Sequence, residues 1–315
     1  MSEMIDPLNN KSSSHYLNRR VVAFTIGGVL LGIGAPKLIS GCWNNSRRKQ
    51  IAKDYLNKLE KDTETLILSE FTDLNQFFIT SKKNIPSFVD EALGYYSKWK
   101  IIIDNIPYTS GGTHEKFIRE KFEEIVLKPN QLEKEVRLTV TNYLDKVSSM
   151  ENRMLVDLRA DIPDISKDYF NENLSVNLFQ EKVDKIVVLA SVASTEDISP
   201  TIVLNLASII AGEALTAVAI QMGVSSGILT TGAVTGWATF GIGLVVSLIV
   251  DQIIGWLWNW YADPKGMLIQ KLITKLNEIF LLVTTKLREE LKKNAGKRDT
   301  ARRNVILDFL SSAPG

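Results

Sequence analysis

One cysteine, Cys42, and two histidines, His15 and His114, are all the thiol and imidazole ligands that 315 residues offer. This excludes an intramolecular disulfide and any Cys-rich zinc site, and histidines so far apart in sequence make no ligand cluster. An excess of charge of either sign is lacking as well. The formal net charge is +1, and no segment is basic enough to expect nucleic acid as a partner. Residues 201–261 contain no Lys or Arg and only two acids, Glu213 and Asp251. No nucleophile stands beside a base, and no Lys follows Ser110-Gly111-Gly112-Thr113 at phosphate-loop spacing, so neither an enzyme nor a cofactor is expected. Those four residues read as the start of a helix. His114, in a first turn among charges, reads as a solvated surface residue, and His15 lies in a polar head.

What is present is apolar and helical. Residues 1–20 are polar and read as a disordered head ending in Arg19-Arg20, and from Val21 to Ala35 every residue is apolar, Gly or Thr. The run continues past Pro36 and Lys37 to Trp43. With Lys37 snorkelling it approaches the roughly 20 residues that span a bilayer core. Residues 21–43 therefore read as a signal anchor or as a lipoprotein-type signal. Ile39-Ser40-Gly41-Cys42 resembles the bacterial lipobox, which implies Cys42 as the lipidation candidate, although Lys37 interrupts a stretch that is uncharged in that motif.

Residues 44–200 alternate charged and apolar positions at helical spacing, with no period-2 strand. The expected fold is all-α: an elongated antiparallel helical bundle with an N-terminal membrane anchor and a central apolar helical hairpin. Helices are expected over Arg47–Ser81, Ser87–Asn105, Thr113–Lys128, about thirty residues ending at Asp161, and Val176–Ala193. Pro86, Pro107, Pro129 and Pro163 mark the boundaries, Thr113 is a plausible N-cap, and Asp164–Ser175 reads as irregular. Loops this short favour antiparallel neighbours.

Residues 201–261, about 60 residues, are long enough for two spans. Gly223-Val224-Ser225-Ser226-Gly227 carries turn chemistry, which divides this glycine-rich region into helices Thr201–Met222 and Leu229–Trp258. Ala207, Ala211 and Ala214 share a face, as do Gly232, Gly236 and Gly243, and such small-residue stripes let apolar helices approach closely. Trp256, Trp258, Trp260 and Tyr261 close the segment as interface anchors. Glu213 is the costly residue, since a charge in mid-membrane costs roughly 2.5–3.5 kcal/mol on the insertion scale. The favoured expectation for an intramembrane Glu213 is a protonated carboxyl bonded to a hydroxyl or amide across the hairpin, with Thr230, Thr231 or Thr235 as candidates; the alternatives are a proton or ion site or a group inside a multimeric pore. Asp251 sits near an interface.

Residues 262–315 begin with Pro264 in a first turn and carry one apolar stripe, Leu268, Leu272, Leu276, Ile279, Val283, Leu287 and Leu291, which is expected to pack on the bundle. Gly296 is expected to stop that helix near Asn294. Lys297, Arg298, Arg302 and Arg303 then precede an apolar patch that would form a short helix on anionic lipid or on the body.

These features point to a bacterial-type integral membrane protein acting as a structural or interaction module. Its partners would be the lipid bilayer and either further copies of itself or another membrane protein, with the bacterial inner membrane as its place. Lysines flanking the hairpin lean toward a cytoplasmic body, and lipidation at Cys42 would reverse that, so the side of the body stays open. A second reading is an α-helical pore former. An apolar hairpin flanked by long amphipathic helices resembles colicin-like and related toxins in layout, a resemblance that rests on no motif. It implies a hairpin sheltered in the body until it inserts. A permanent anchor at residues 21–41 counts against a released toxin.

Overall fold

Apolar residues at steps of three and four give the helices between residues 47 and 83 a buried face each, and such faces need partners along their length. The computed structural model describes residues 37–104, 112–162, 164–191, 202–223, 237–258 and 264–314, with the backbone alone at 37–44, 202–205, 237–244, 258 and 264. Among them are eleven helices and no strand: α1 (Lys37–Ser69), α2 (Thr72–Lys83), α3 (Ile85–Ala92), α4 (Tyr95–Asp104), α5 (Thr113–Ile125), α6 (Pro129–Asp161), α7 (Lys167–Leu174), α8 (Val176–Leu189), α9 (Ile202–Gln221), α10 (Trp237–Trp258) and α11 (Pro264–Ser312). The all-α class and the bundle are as expected. The expected head and anchor, up to residue 36, lie outside the described residues, and residues 37–43 belong to the first turns of α1.

Helix α11 is the spine, roughly 70 Å long at 1.5 Å per residue. Its partners fix the direction of its neighbours. Arg48 Nη1 donates to the Pro314 carbonyl (3.2 Å), Arg303 pairs with Glu60 (2.8 Å), the rings of Phe78 and Phe280 lie 5.3 Å apart, and Lys265 pairs with Asp90 (2.5 Å). As the number rises on one side it falls on the other, so α1, α2 and α3 run antiparallel to α11. Tyr55 with Asp161 (2.7 Å) and Lys146 with Glu70 (2.5 Å) set α6 antiparallel to α1 in the same way. The stripe from Leu268 to Leu291 is buried along its whole length.

Several boundaries differ from expectation, each for a local reason. The helix expected over 47–81 breaks at Glu70-Phe71, where no Gly or Pro stands. There Glu70 turns into an ion pair with Lys146, and Phe71 lies 5.3 Å from the Arg288 guanidinium. The helix expected over 87–105 breaks at Leu93-Gly94. A Cβ at Gly94 would sit 3.1 Å from the Asp90 carbonyl oxygen and 3.2 Å from that of Glu91, so a side chain at this turn would crowd the backbone of α3. The stretch expected to be irregular, 164–175, holds α7. Ser166 Oγ accepts from the Tyr169 amide (3.2 Å), and Ser175 Oγ caps α8 by accepting from Leu178 (3.4 Å). Gly296 does not stop α11. Burial of Ala301, Val305, Ile306, Phe309 and Leu310 continues the stripe through it and outweighs the about 1 kcal/mol that glycine costs inside a helix. The tail therefore docks on the body as the last turns of the spine.

Candidate functional site

Helices α9 and α10 carry the apolar sequence, and they pack on each other. Around α9, Leu206, Ala207, Ile210, Ala211, Ala214, Leu215, Val218 and Ala219 are all buried, because α6, α8 and α11 close on it as well. Helix α10 buries Val245, Val246, Ile249, Val250 and Ile253, and α5, α6 and α11 cover it. The small-residue face Ala207, Ala211, Ala214 thus lies inside the bundle. Of its expected counterpart, Gly232 and Gly236 lie outside the described residues, and Gly243 is described by its backbone in α10. Thr230, Thr231 and Thr235, named as partners for Glu213, lie outside them too. Among the described residues no helix is long and apolar enough to cross a membrane.

Glu213 has a cation after all, 80 residues away. Lys293 Nζ on α11 lies 3.5 Å from Glu213 Oε2 and 3.2 Å from Glu290 Oε2, so one lysine bridges two carboxylates at the edge of the apolar pair. Sequence spacing could not find this partner, since it depends on how α9 lies on α11. Asp251 is exposed and lies 3.9 Å from Arg119 of α5, whose Nη1 donates to Ser247 Oγ on α10 (2.5 Å). Trp256 is half-buried, with Lys271 Nζ 5.5 Å from its ring centroid. Trp258 is described by its backbone, Trp260 and Tyr261 lie outside the described residues, and Cys42 lies in α1, described by its backbone.

The strongest polar assembly was not legible in the sequence. Glu151 of α6 is fully buried, and Arg298 of α11 donates to both its oxygens, Nε to Oε1 (2.6 Å) and Nη2 to Oε2 (2.7 Å). Arg298 Nη1 also donates to Asp184 of α8 (2.6 Å), and Arg302 Nη1 lies 3.3 Å from Glu151 Oε1. Gln180 Nε2 donates to Glu151 Oε2 (3.0 Å) and its Oε1 accepts from Arg298 (2.9 Å). Burial works against the Arg298 charge, but the Glu151 and Asp184 carboxylates outweigh it and raise its pKa. For Arg302 burial prevails and lowers the pKa. Burial likewise raises the Asp184 carboxyl against the pull of Arg298. The geometry of the cluster joins α6, α8 and α11.

His114 is buried rather than solvated. Its Nε2 lies 3.0 Å from Ser97 Oγ of α4. The N-cap of α5 is Gly112, at φ +77°, rather than Thr113, and the capping oxygens come from Asp104 at the end of α4. Asp104 Oδ1 accepts from the Thr113 amide (3.0 Å) and its hydroxyl (2.6 Å), and Oδ2 accepts from the His114 amide (2.9 Å). A carboxylate at a helix N-terminus meets the positive end of the dipole. The bond from the Thr113 hydroxyl, then that from the His114 amide, hold the Asp104 carboxyl below its ordinary pKa.

Among the described residues no group of three or more His, Cys, Asp or Glu is placed to hold a metal ion. No family model, curated protein or solved structure matches this chain.

Proposed function

We propose that this chain is a membrane-inserting α-helical protein of the pore-forming kind, in which α9 and α10 are sheltered by the body until they pass into lipid. The observation that carries this reading is the enclosure of the charge-poor pair. Helix α9 buries residues on most of its circumference against α6, α8, α10 and α11, as a helix that is apolar all round must do in water. The pair belongs to a stretch of about 60 residues with two charges, enough for two spans. Its cover is made of amphipathic helices that can stay at the surface when it leaves.

A second reading, an anchored structural or interaction module of the bacterial inner membrane, is favoured by the apolar run of 21–35 behind Arg19-Arg20. In that reading residues 21–43 hold the chain permanently, or Cys42 is lipidated, and the helical body meets another membrane protein or another copy. The two readings share the bilayer as partner and differ in whether the pair moves.

The test is a reversible lock. In a Cys42→Ala background, Glu213→Cys and Lys293→Cys are bridged by a reducible bis-maleimide, tying α9 to the spine. The unbridged protein should release an encapsulated dye from vesicles, the bridged protein should not, and reduction should restore release. Release that persists after bridging, or none from any form, rejects insertion of the pair. The second outcome leaves the anchored module.

A further inference from the structure

Helix α4 is turned the opposite way from an ordinary surface helix. At 100° per residue, Tyr95, Trp99 and Ile102 fall within about 60° of one another, and this is the exposed side, at 76%, 45% and 51% exposure. Ser97 and Asp104 lie on the other side of the wheel and face inward, and they make the polar bonds to His114 and to the N-terminus of α5 already described. Those bonds hold the apolar face in water. Tyr96, also exposed, packs edge-on against Phe117 of α5 (centroids 5.3 Å apart), which ties the helix to the body without covering its outer face. Tyr95 and Trp99 stack edge to face at 6.0 Å, so the aromatic surface is continuous.

The lysines that flank the exposed arc have one sign. Lys98 is exposed beside the aromatic stripe at one edge, and half-buried Lys100 lies past Tyr96 at the other, its Nζ 5.1 Å from the Tyr96 ring centroid. Asp104, the acid of this helix, is occupied by α5. Aromatic residues with a polar edge, an isoleucine about one turn beyond them and lysines on the flanks make up the chemistry of a helix that lies in a membrane interface. We propose that α4 is the face by which the body docks on an anionic bilayer, with Tyr95, Trp99 and Ile102 in the headgroup region and Lys98 and Lys100 on lipid phosphates. The inference rests on the reading of a membrane-active protein, yet it does not require α9 and α10 to insert.

The test reads the face itself, in the full chain reconstituted into vesicles. An environment-sensitive fluorophore is placed by Ile102→Cys in a Cys42→Ala background, with Val156→Cys on the exposed side of α6 as the control site. In phosphatidylcholine vesicles containing phosphatidylglycerol, the probe at 102 should be quenched by lipid-borne nitroxide, and the probe at 156 by aqueous iodide. Lys98→Gln with Lys100→Gln should lower the lipid-facing to water-facing ratio at 102 about thirtyfold, at about 1 kcal/mol for each lysine near an anionic surface. Tyr95→Ser with Trp99→Ser should send the probe to iodide while the melting curve stays in place, because these side chains are exposed. A probe at 102 open to iodide in wild type overturns the proposal. So does one shielded from both quenchers: the occupant is then a segment of this chain if shielding is independent of the protein-to-lipid ratio, and a second copy if it grows with that ratio. Dye release is scored separately. Lipid contact at 102 without release keeps the docking face and rejects insertion, and release with 102 in water does the reverse.

Discussion

Arg298 and Glu151 form a bidentate ion pair at 2.6 and 2.7 Å, with Glu151 wholly out of solvent and the partners 147 residues apart in sequence. Two parallel N–H···O bonds demand that α6 and α11 stand at one axial position, because a slip of one residue would move the fork by about 1.5 Å along the axis. The pair thereby sets the register of the body around the spine. Gln180 and Asp184 extend the same constraint to α8.

Removing one partner leaves the other buried and unpaired. Arg298→Ala and Glu151→Ala should each lower unfolding stability by about 3–5 kcal/mol, and the double variant should lose much less than the sum. Denaturant melts of the four proteins measure the coupling. Additive losses would mean that the pair does not act as a unit.

Gly296 sits on an exposed position of α11, and a methyl group built there meets nothing within 4 Å. Gly296→Ala should therefore raise stability by about 0.5–1 kcal/mol, since alanine loses less backbone freedom on forming a helix. A lower melting temperature would show that the spine needs a bend at this point. The opposite sign is expected at Gly112, whose φ of +77° strains any L side chain.

His114 gives the α4–α5 contact a pH dependence. Burial holds its pKa below the ordinary value, with the Asp104 charge opposing. The folded state therefore takes up this proton less readily than the unfolded chain, where histidine titrates near 6.5. The stabilisation it provides is complete above about 6.5 and is lost as the pH falls through the lower, folded value. Between pH 7 and 5 the melting temperature of wild type should fall more steeply than that of His114→Gln, which keeps a polar group toward Ser97 and does not titrate. Parallel curves would remove His114 from the account.

The face of Ala207, Ala211 and Ala214 is buried, and Ala211 and Ala214 are completely inaccessible. Ala211→Leu has no space to fill and should cost about 1–3 kcal/mol, whereas Ile220→Leu, on the exposed side of the same helix, should be within about 0.5 kcal/mol of wild type. Equal melting curves for the two variants would contradict close packing at residue 211.

Periodicity made much of the fold legible. Helix α9 runs Ile202–Gln221 where Thr201–Met222 is expected, and α6 ends at Asp161 as Pro163 implies, because apolar spacing and proline act within a few residues. The caps of α7 and α8 were equally local. Ser166 and Ser175 each stand before a helical run, a signal that the irregular reading of 164–175 passes over. The site was less legible. The small-residue face of α9 could be read from spacing, but the cation beside Glu213 could not, because Lys293 comes from the far end of the chain.

The sequence by itself determined that this protein is helical, which faces of its helices are apolar, and that one stretch of it is nearly free of charge. Those properties are periodic or compositional, and neighbouring residues carry them. Only the tertiary structure decided that α11 continues through Gly296, that His114 is buried and that α4 turns its aromatic side outward. It alone also enclosed α9 and α10 and brought Arg298 to Glu151. Each of these follows from groups far apart in the chain meeting in one place, where shared burial and paired charge outweigh a local preference worth about 1 kcal/mol.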